Sequence, residues 1–255
     1  MDQKSNESRT VKAAHTLFAV IERIREANGA TVSQIARDID VSPSTAHAHL
    51  KTLEQESWAV KRDGQYYLSL QFLEYGILAR DQWDIVEYAK PHLQHIAEET
   101  KESVWLVCEE RGYGIFLDSA IGEHGVAVGG KIGSTVPLHW IAAGKAILSQ
   151  YPEERVREIV EDVGLKEKGP NAITDTSELE SELEKVRDQG VAFAEGELFE
   201  GLRAIGVPIM YDGNVLAGLS IAGPSNRFRG EYFYEELPEL LLGEVNEIEI
   251  RYATE

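Results

Sequence analysis

Apolar residues recur at spacings of three and four from Val11 through Ala14, Leu17, Phe18, Ile21 and Ile24. That is the stripe of an amphipathic helix. Asn28-Gly29 marks its end. Thr31-Val32-Ser33-Gln34 has the spacing of a capping box, and Ile35, Ala36 and Ile39 supply the inner face of a short second helix. After a turn at Asp40-Val41, Ser42 as N-cap and Pro43 at the first helical position open a third helix running to about Ser57. Asp63-Gly64, between strand-like runs on either side, predicts a hairpin. Two helices, a turn, a third helix and a hairpin follow the order of a winged helix-turn-helix.

Beyond the hairpin, residues 71–88 predict a linking helix with Phe72, Leu73, Ile77, Leu78, Ile85 and Val86 as its apolar set. Pro91 is expected to start another, running to Thr100. Residues 104–108 and 115–117 flank a hairpin near Arg111-Gly112. Strands at 204–211 and 215–222 flank a second at Asp212-Gly213-Asn214. Helices are expected at 144–150, 152–163, 179–188 and 235–249. The last has Leu237, Leu240, Leu241, Val245 and Ile248 inward. Strand hairpins interleaved with helices imply an α+β fold with a mainly antiparallel sheet. The expected layout is two domains: a winged helix-turn-helix over residues 1–70, a linker helix over 71–88, and a larger domain over 89–255.

Charge then divides the chain. Residues 1–80 hold ten basic and ten acidic residues. Residues 81–255 hold 15 and 34, so the whole excess of 19 negative charges lies in the second part. Contact with a DNA polyanion is therefore confined to the first part, and its non-specific affinity should be weak. So acidic a surface suits high intracellular salt, where repulsion is screened over a few ångström, and we expect a halophilic source, the alternative being an ordinary acidic bacterial protein. No apolar run reaches the length of a membrane span, and Met1 to Thr10 lack the apolar core of a signal peptide. A cytoplasmic protein is expected. The single cysteine, Cys108, lies in an apolar run and excludes a disulfide framework.

The third helix is the element expected to enter the major groove. Ser42, Ser44, Thr45, His47 and Ala48 lie near its start, with Lys51 a turn later. Hydroxyls and Lys suit phosphates, while His and Thr reach base edges. Lys61 and Arg62 at the wing tip are expected on backbone or minor groove, and Arg9 and Lys12 beside the first helix on phosphate. His92 and His95, three apart, share a helix face. Without cysteine partners no metal is expected, and no cofactor. Ser220, His139 and an Asp could be imagined as a triad, but no nucleophile-elbow motif supports it. An enzyme is not expected.

The chain resembles the IclR family of transcription regulators. The likeness rests on Ala36–Thr45 at the entry to the third helix, on Val136-Pro137-Leu138-His139 followed by Ala143-Gly144-Lys145-Ala146, and on Gly201–Ile209 with Leu219–Pro224. It covers nearly the whole chain. It implies a GAF-like, effector-binding C-terminal domain, dimers or tetramers on palindromic DNA operators, and small organic acids as effectors. The family's effector pocket, carried over by position, falls on Ala142, Ala143, Ala194, Glu195, Ala204, Ser220 and Ala222. Ala194 stands where the family has an acid, Ala204 where it often has Cys, and Ala222 where it often has Ser. The pocket thereby loses hydrogen-bonding groups and gains room. We expect a larger or less polar ligand than a short keto acid, oriented by Ser220 and Glu195, with His139 a further lining candidate. The alternative is a ligand-independent DNA-binding protein whose C-terminal domain only oligomerises.

Overall fold

The computed structural model describes residues 10–126 and 130–254. Arg9 lies outside them. The chain divides into two compact units between Ala79 and Arg80.

The first unit opens with α1 (Lys12–Ala27), α2 (Val32–Asp38) and α3 (Pro43–Gln55). Each boundary has a local cause. Asn28 takes the left-handed conformation (φ 49°) and closes α1. The Thr31 hydroxyl accepts from the Gln34 N–H (3.3 Å), while Gln34 Oε1 accepts from the Thr31 N–H (2.8 Å), a reciprocal cap for α2. Ser42 accepts from the Thr45 N–H (3.1 Å), with Pro43 in the first turn of α3. β1 (Ala59–Arg62) and β2 (Gln65–Leu68) pair antiparallel across Asp63 (φ 49°) and Gly64 (φ 80°), a two-residue turn with both central residues left-handed. Val20, Ile24, Ile35, Leu50, Leu53 and Tyr66 fill the core between these elements. α4 (Gln71–Arg80) packs Phe72 and Tyr75 on Trp58, with both ring pairs 4.8 Å apart, yet buries none of its own residues.

The second unit starts with α5 (Ile85–Thr100). Here the expected helices are corrected. The break falls between Arg80 and Ile85, and Pro91 lies inside α5 instead of at its start. The buried stripe Ile85, Val86, Ala89, Leu93, Ile96 and Ala97 runs unbroken past Pro91, whose ring is on the exposed side. Burial of that stripe outweighs the roughly 3 kcal/mol an internal proline costs.

The sheet is antiparallel throughout, in the order β5-β4-β3-β8-β7-β6. Its strands are β3 (Ser103–Glu110), β4 (Tyr113–Ile121), β5 (Thr135–Pro137), β6 (Ala192–Glu195), β7 (Leu202–Tyr211) and β8 (Asn214–Pro224). Alternation assigns the faces. Val104, Leu106 and Cys108 join Ile205, Val207, Leu219 and Ile221 under α5 and α9 (Leu237–Thr254). Trp105 and Val107 point the other way, toward α6 (Ala142–Ser149), α7 (Glu153–Val163) and α8 (Thr176–Gln189). Cys108 is a core thiol, and burial pushes it up to about 12. A π-helical turn, Tyr232–Glu236, precedes α9, so the closing helix starts later and runs further than its periodicity predicts. Leu240 is half-buried there, not part of the inner row with Leu237, Leu241, Val245 and Ile248.

α6 lies directly on bare strand backbone. A Cβ on Gly206 would come within 2.5 Å of the Ala142 carbonyl carbon and the Ala143 nitrogen, and one on Gly218 within 2.5 Å of the Ala143 oxygen. Gly206→Ala is therefore expected to destabilise the protein by about 1–3 kcal/mol, read as a lower urea midpoint. An unchanged midpoint would mean that the helix seats elsewhere.

Candidate functional site

Two sites follow from this architecture, one on each unit. On the first, α3 turns Ala46, Leu50 and Leu53 into the core. Ser42, Ser44, Thr45, His47, Ala48 and Lys51 are all exposed, as are Lys61 and Arg62 on the wing and Lys12 at the start of α1. Their readiness for a ligand differs. The Ser42 hydroxyl is engaged as the helix cap and also touches the Ser44 and Thr45 hydroxyls, each at 2.8 Å. Lys51 is paired with Glu54 at 2.9 Å, an exposed contact of little energetic weight. Lys61 lies over the Tyr66 ring, 5.2 Å from its centre, which orients it along the wing.

On the second unit, a cavity opens between the sheet and the start of α6. Ala194 pairs with Ala204, and Ala204 with Ala222, so the three alanines form one row across β6, β7 and β8. The next row sets Gly206 beside Ser220 and Ser220 beside Trp105. Ala142, Ala194, Ala204, Ser220 and Ala222 line the cavity. Ala143 and Glu195 do not. Glu195 neighbours Ala194 on a strand and so points to the opposite face. There it pairs with Arg203 at 2.6 Å and accepts from the Tyr234 hydroxyl at 3.0 Å. Ala143 is turned about 100° from Ala142 around the helix and packs into the core on the sheet side. His139 is also outside the lining, its ring 3.4 Å from the Lys166 carbonyl. Burial holds that imidazole below its usual range. Ser220 and His139 are thus not brought to a common site.

The room expected from the three alanines is taken by larger groups. Trp105, Phe116, Trp140, Ile141, Leu198 and Leu202 converge on the row, with the Trp105 and Phe116 rings edge to face at 5.1 Å. The free volume is about 40 Å³, room for a few waters. Trp105 lies in the strand-like run 104–108, and no local pattern in the sequence marks Trp140 or Glu197.

Glu197 supplies the cavity's carboxylate. It is 7 % exposed, and its Oε1 accepts from Lys145 Nζ at 2.7 Å. Lys145, itself fully buried, also donates to Glu182 (3.0 Å) and to the Phe193 carbonyl (2.5 Å). All three ammonium N–H groups are satisfied, as burial of a charge demands. Glu197 Oε2 is buried with no partner. Burial raises the Glu197 carboxyl to about 7 from its ordinary 4.5, although Lys145 pulls it down. The folded chain therefore keeps a proton there that the unfolded chain releases. The resulting stabilisation is complete below about pH 4.5 and disappears as pH rises through about 7. In urea titrations Glu197→Gln is expected to flatten that decline relative to the unsubstituted protein. Equal slopes over this window would refute the raised carboxyl.

The family model for the bacterial transcriptional regulator IclR C-terminal domain matches residues 78–249, and that for the IclR helix-turn-helix domain matches residues 17–63. The chain is 29 % identical to the probable HTH-type transcriptional regulator ArcR of Halobacterium salinarum, covering 98 % of this chain and 97 % of that one. Its fold is similar to the crystal structure of IclR from Thermotoga maritima (32 % identity, TM-score 0.75, covering 94 % and 96 %). It is also similar in fold to an IclR homologue from Microbacterium hydrocarbonoxydans complexed with 4-hydroxybenzoate (23 % identity, TM-score 0.78, covering 94 % and 100 %).

Proposed function

This chain belongs to the IclR family of transcriptional regulators, and we propose that it reads its operator with α3 and the wing under control of a small organic ligand held in the cavity beside α6. Thr45 and His47 read base edges. Ser44, Lys51, Lys61 and Arg62 bind phosphates, Ser42 holds the helix start in shape, and Ala48 allows close approach to the groove. The ligand reading is carried by the alanine row Ala194–Ala204–Ala222, which shares its cavity with an aromatic wall and the Glu197 side chain. The ligand is compact and mostly apolar, with polar groups for Glu197 and Ser220. Glu195 acts indirectly, through Arg203. A neighbour of the same fold is complexed with 4-hydroxybenzoate, which supports a small organic molecule as the class. Since the cavity is narrow, ligand entry must move its walls, and that movement is what alters operator affinity.

The chain acts as a homodimer or tetramer. The exposed Leu73, Tyr75 and Ile77 on α4, with Phe18 on α1, support a self-association surface. The DNA partner sets the cytoplasm as its place of action. The charge asymmetry and the Halobacterium relative support a halophilic source.

Selection from random duplexes, then gel shift, tests the DNA surface. Combined Lys61→Ala and Arg62→Ala should weaken binding to all sequences and reduce the salt slope by about one per lost phosphate contact. His47→Ala should relax discrimination at one operator position by about 1–3 kcal/mol. Wild-type slope and specificity in these variants would exclude this surface. For the cavity, Ala222→Leu should leave operator binding intact and abolish the thermal shift and operator release produced by any active metabolite. An undiminished response would put the ligand elsewhere.

A further inference from the structure

We propose that the packed pair α5 and α9 holds a divalent transition-metal ion on His92, His95, Glu244 and Glu247. The site is separate from the effector cavity, on the opposite face of the sheet. Two spacings create it. His92 and His95 are three apart on α5, and Glu244 and Glu247 are three apart on α9, so each pair shares one helix face. The two helices bury a common core, with Leu93 and Ile96 from one and Val245 and Ile248 from the other. That packing brings the two faces together.

The donors converge on one carboxylate. His92 Nδ1 is 2.5 Å from Glu244 Oε2, and His95 Nε2 is 3.4 Å from Glu244 Oε1. Donor atoms of His92, Glu244 and Glu247 all lie within 4.8 Å of one another. Glu99, one turn after His95, stands 3.4 Å from the same imidazole. Three carboxylates thus surround two imidazoles. Among the described residues no Lys or Arg forms an ion pair with Glu244 or Glu247. The cluster is rich in anionic donors and short of cations.

Burial gives it an inside and an entrance. The His92 and Glu244 side chains are 9 % and 12 % exposed, whereas His95 is 59 % exposed. The inner pair is preformed by packing, and the outer side chains can swing in. With metal–ligand bonds of about 2.0–2.2 Å, ligand atoms in a tetrahedral site stand roughly 3.3 Å apart. The His92–Glu244 contact therefore opens slightly, while His95 and Glu247 close in. His92 Nε2 is buried with no protein partner. Nδ1 donates its proton to the Glu244 carboxylate in the metal-free chain, so binding moves that proton to Nε2 or releases it, and leaves Nδ1 as the ligand. Two nitrogen and two oxygen donors select Zn²⁺ or a neighbouring transition metal over Mg²⁺ or Ca²⁺, which favour all-oxygen sites. Bound there, the ion cross-links the first and last helices of the second unit.

The full-length chain, stripped with chelator, is dialysed against ZnCl₂ and assayed for bound metal, with Co²⁺ absorption and thermal unfolding in parallel. One ion per chain is expected, with tetrahedral Co²⁺ bands and a melting temperature that rises with Zn²⁺. His95→Ala and Glu247→Gln, both at exposed positions, should each weaken binding at least tenfold and remove the bands while leaving the metal-free melting temperature unchanged. Binding below one ion per chain overturns the proposal. So does equal affinity in the two variants, which would assign the metal to other surface histidines.

Discussion

The second unit depends on a helix lying directly on strand backbone. Only because Gly206 and Gly218 carry no Cβ can α6 descend onto β7 and β8. That descent buries Lys145 completely, and a buried ammonium without partners would cost several kcal/mol. Glu182 on α8, the Phe193 carbonyl on β6 and Glu197 after it answer that demand. One close approach thus fixes a helix, a neighbouring helix and a loop around one charge. Glu197 meets Lys145 with one oxygen and leaves the other facing no protein donor. The cavity's polarity is a by-product of how the helix is held down.

The two faces of the sheet do different work. Under α5 and α9 the strands offer Ile, Leu and Val in alternation, a continuous apolar layer. Toward α6 they offer Ala194, Ala204, Ser220 and Ala222, too small to fill the space alone. Trp105, Phe116 and Trp140 close over them. The aromatic rings and the small residues leave a cavity of about 40 Å³ on this side, whereas the opposite face is filled by branched side chains. This asymmetry is what the proposed placement of a ligand on one side and a metal on the other rests on.

The first unit was legible almost element by element because its boundaries are local. The Thr31–Gln34 box, the Ser42-Pro43 entry and the Asp63-Gly64 turn are each settled within four residues. Pro91 was misread for the converse reason. Its local meaning is a helix start, and burial of α5 against the sheet overrode it. Among the candidate cavity residues, the positions of Ala194, Ala204, Ser220 and Ala222 could be carried over by resemblance. Glu195 and Ala143 could not be told from their neighbours without strand alternation and helix phase. Glu197 meets Lys145 across 52 residues, and His92 meets Glu244 across 152; no local pattern reports such pairs.

By itself, then, the amino-acid order determined the helix caps, the turns, the two-part division of charge and the polar face of α3 left exposed, because each is governed by neighbours a few residues apart. Which small residues share a cavity, which carboxylate is orphaned beside them and which histidines face acids on the last helix were decided only by the tertiary structure. Those relations depend on strand register and on how closely helices approach the sheet, and packing alone sets both.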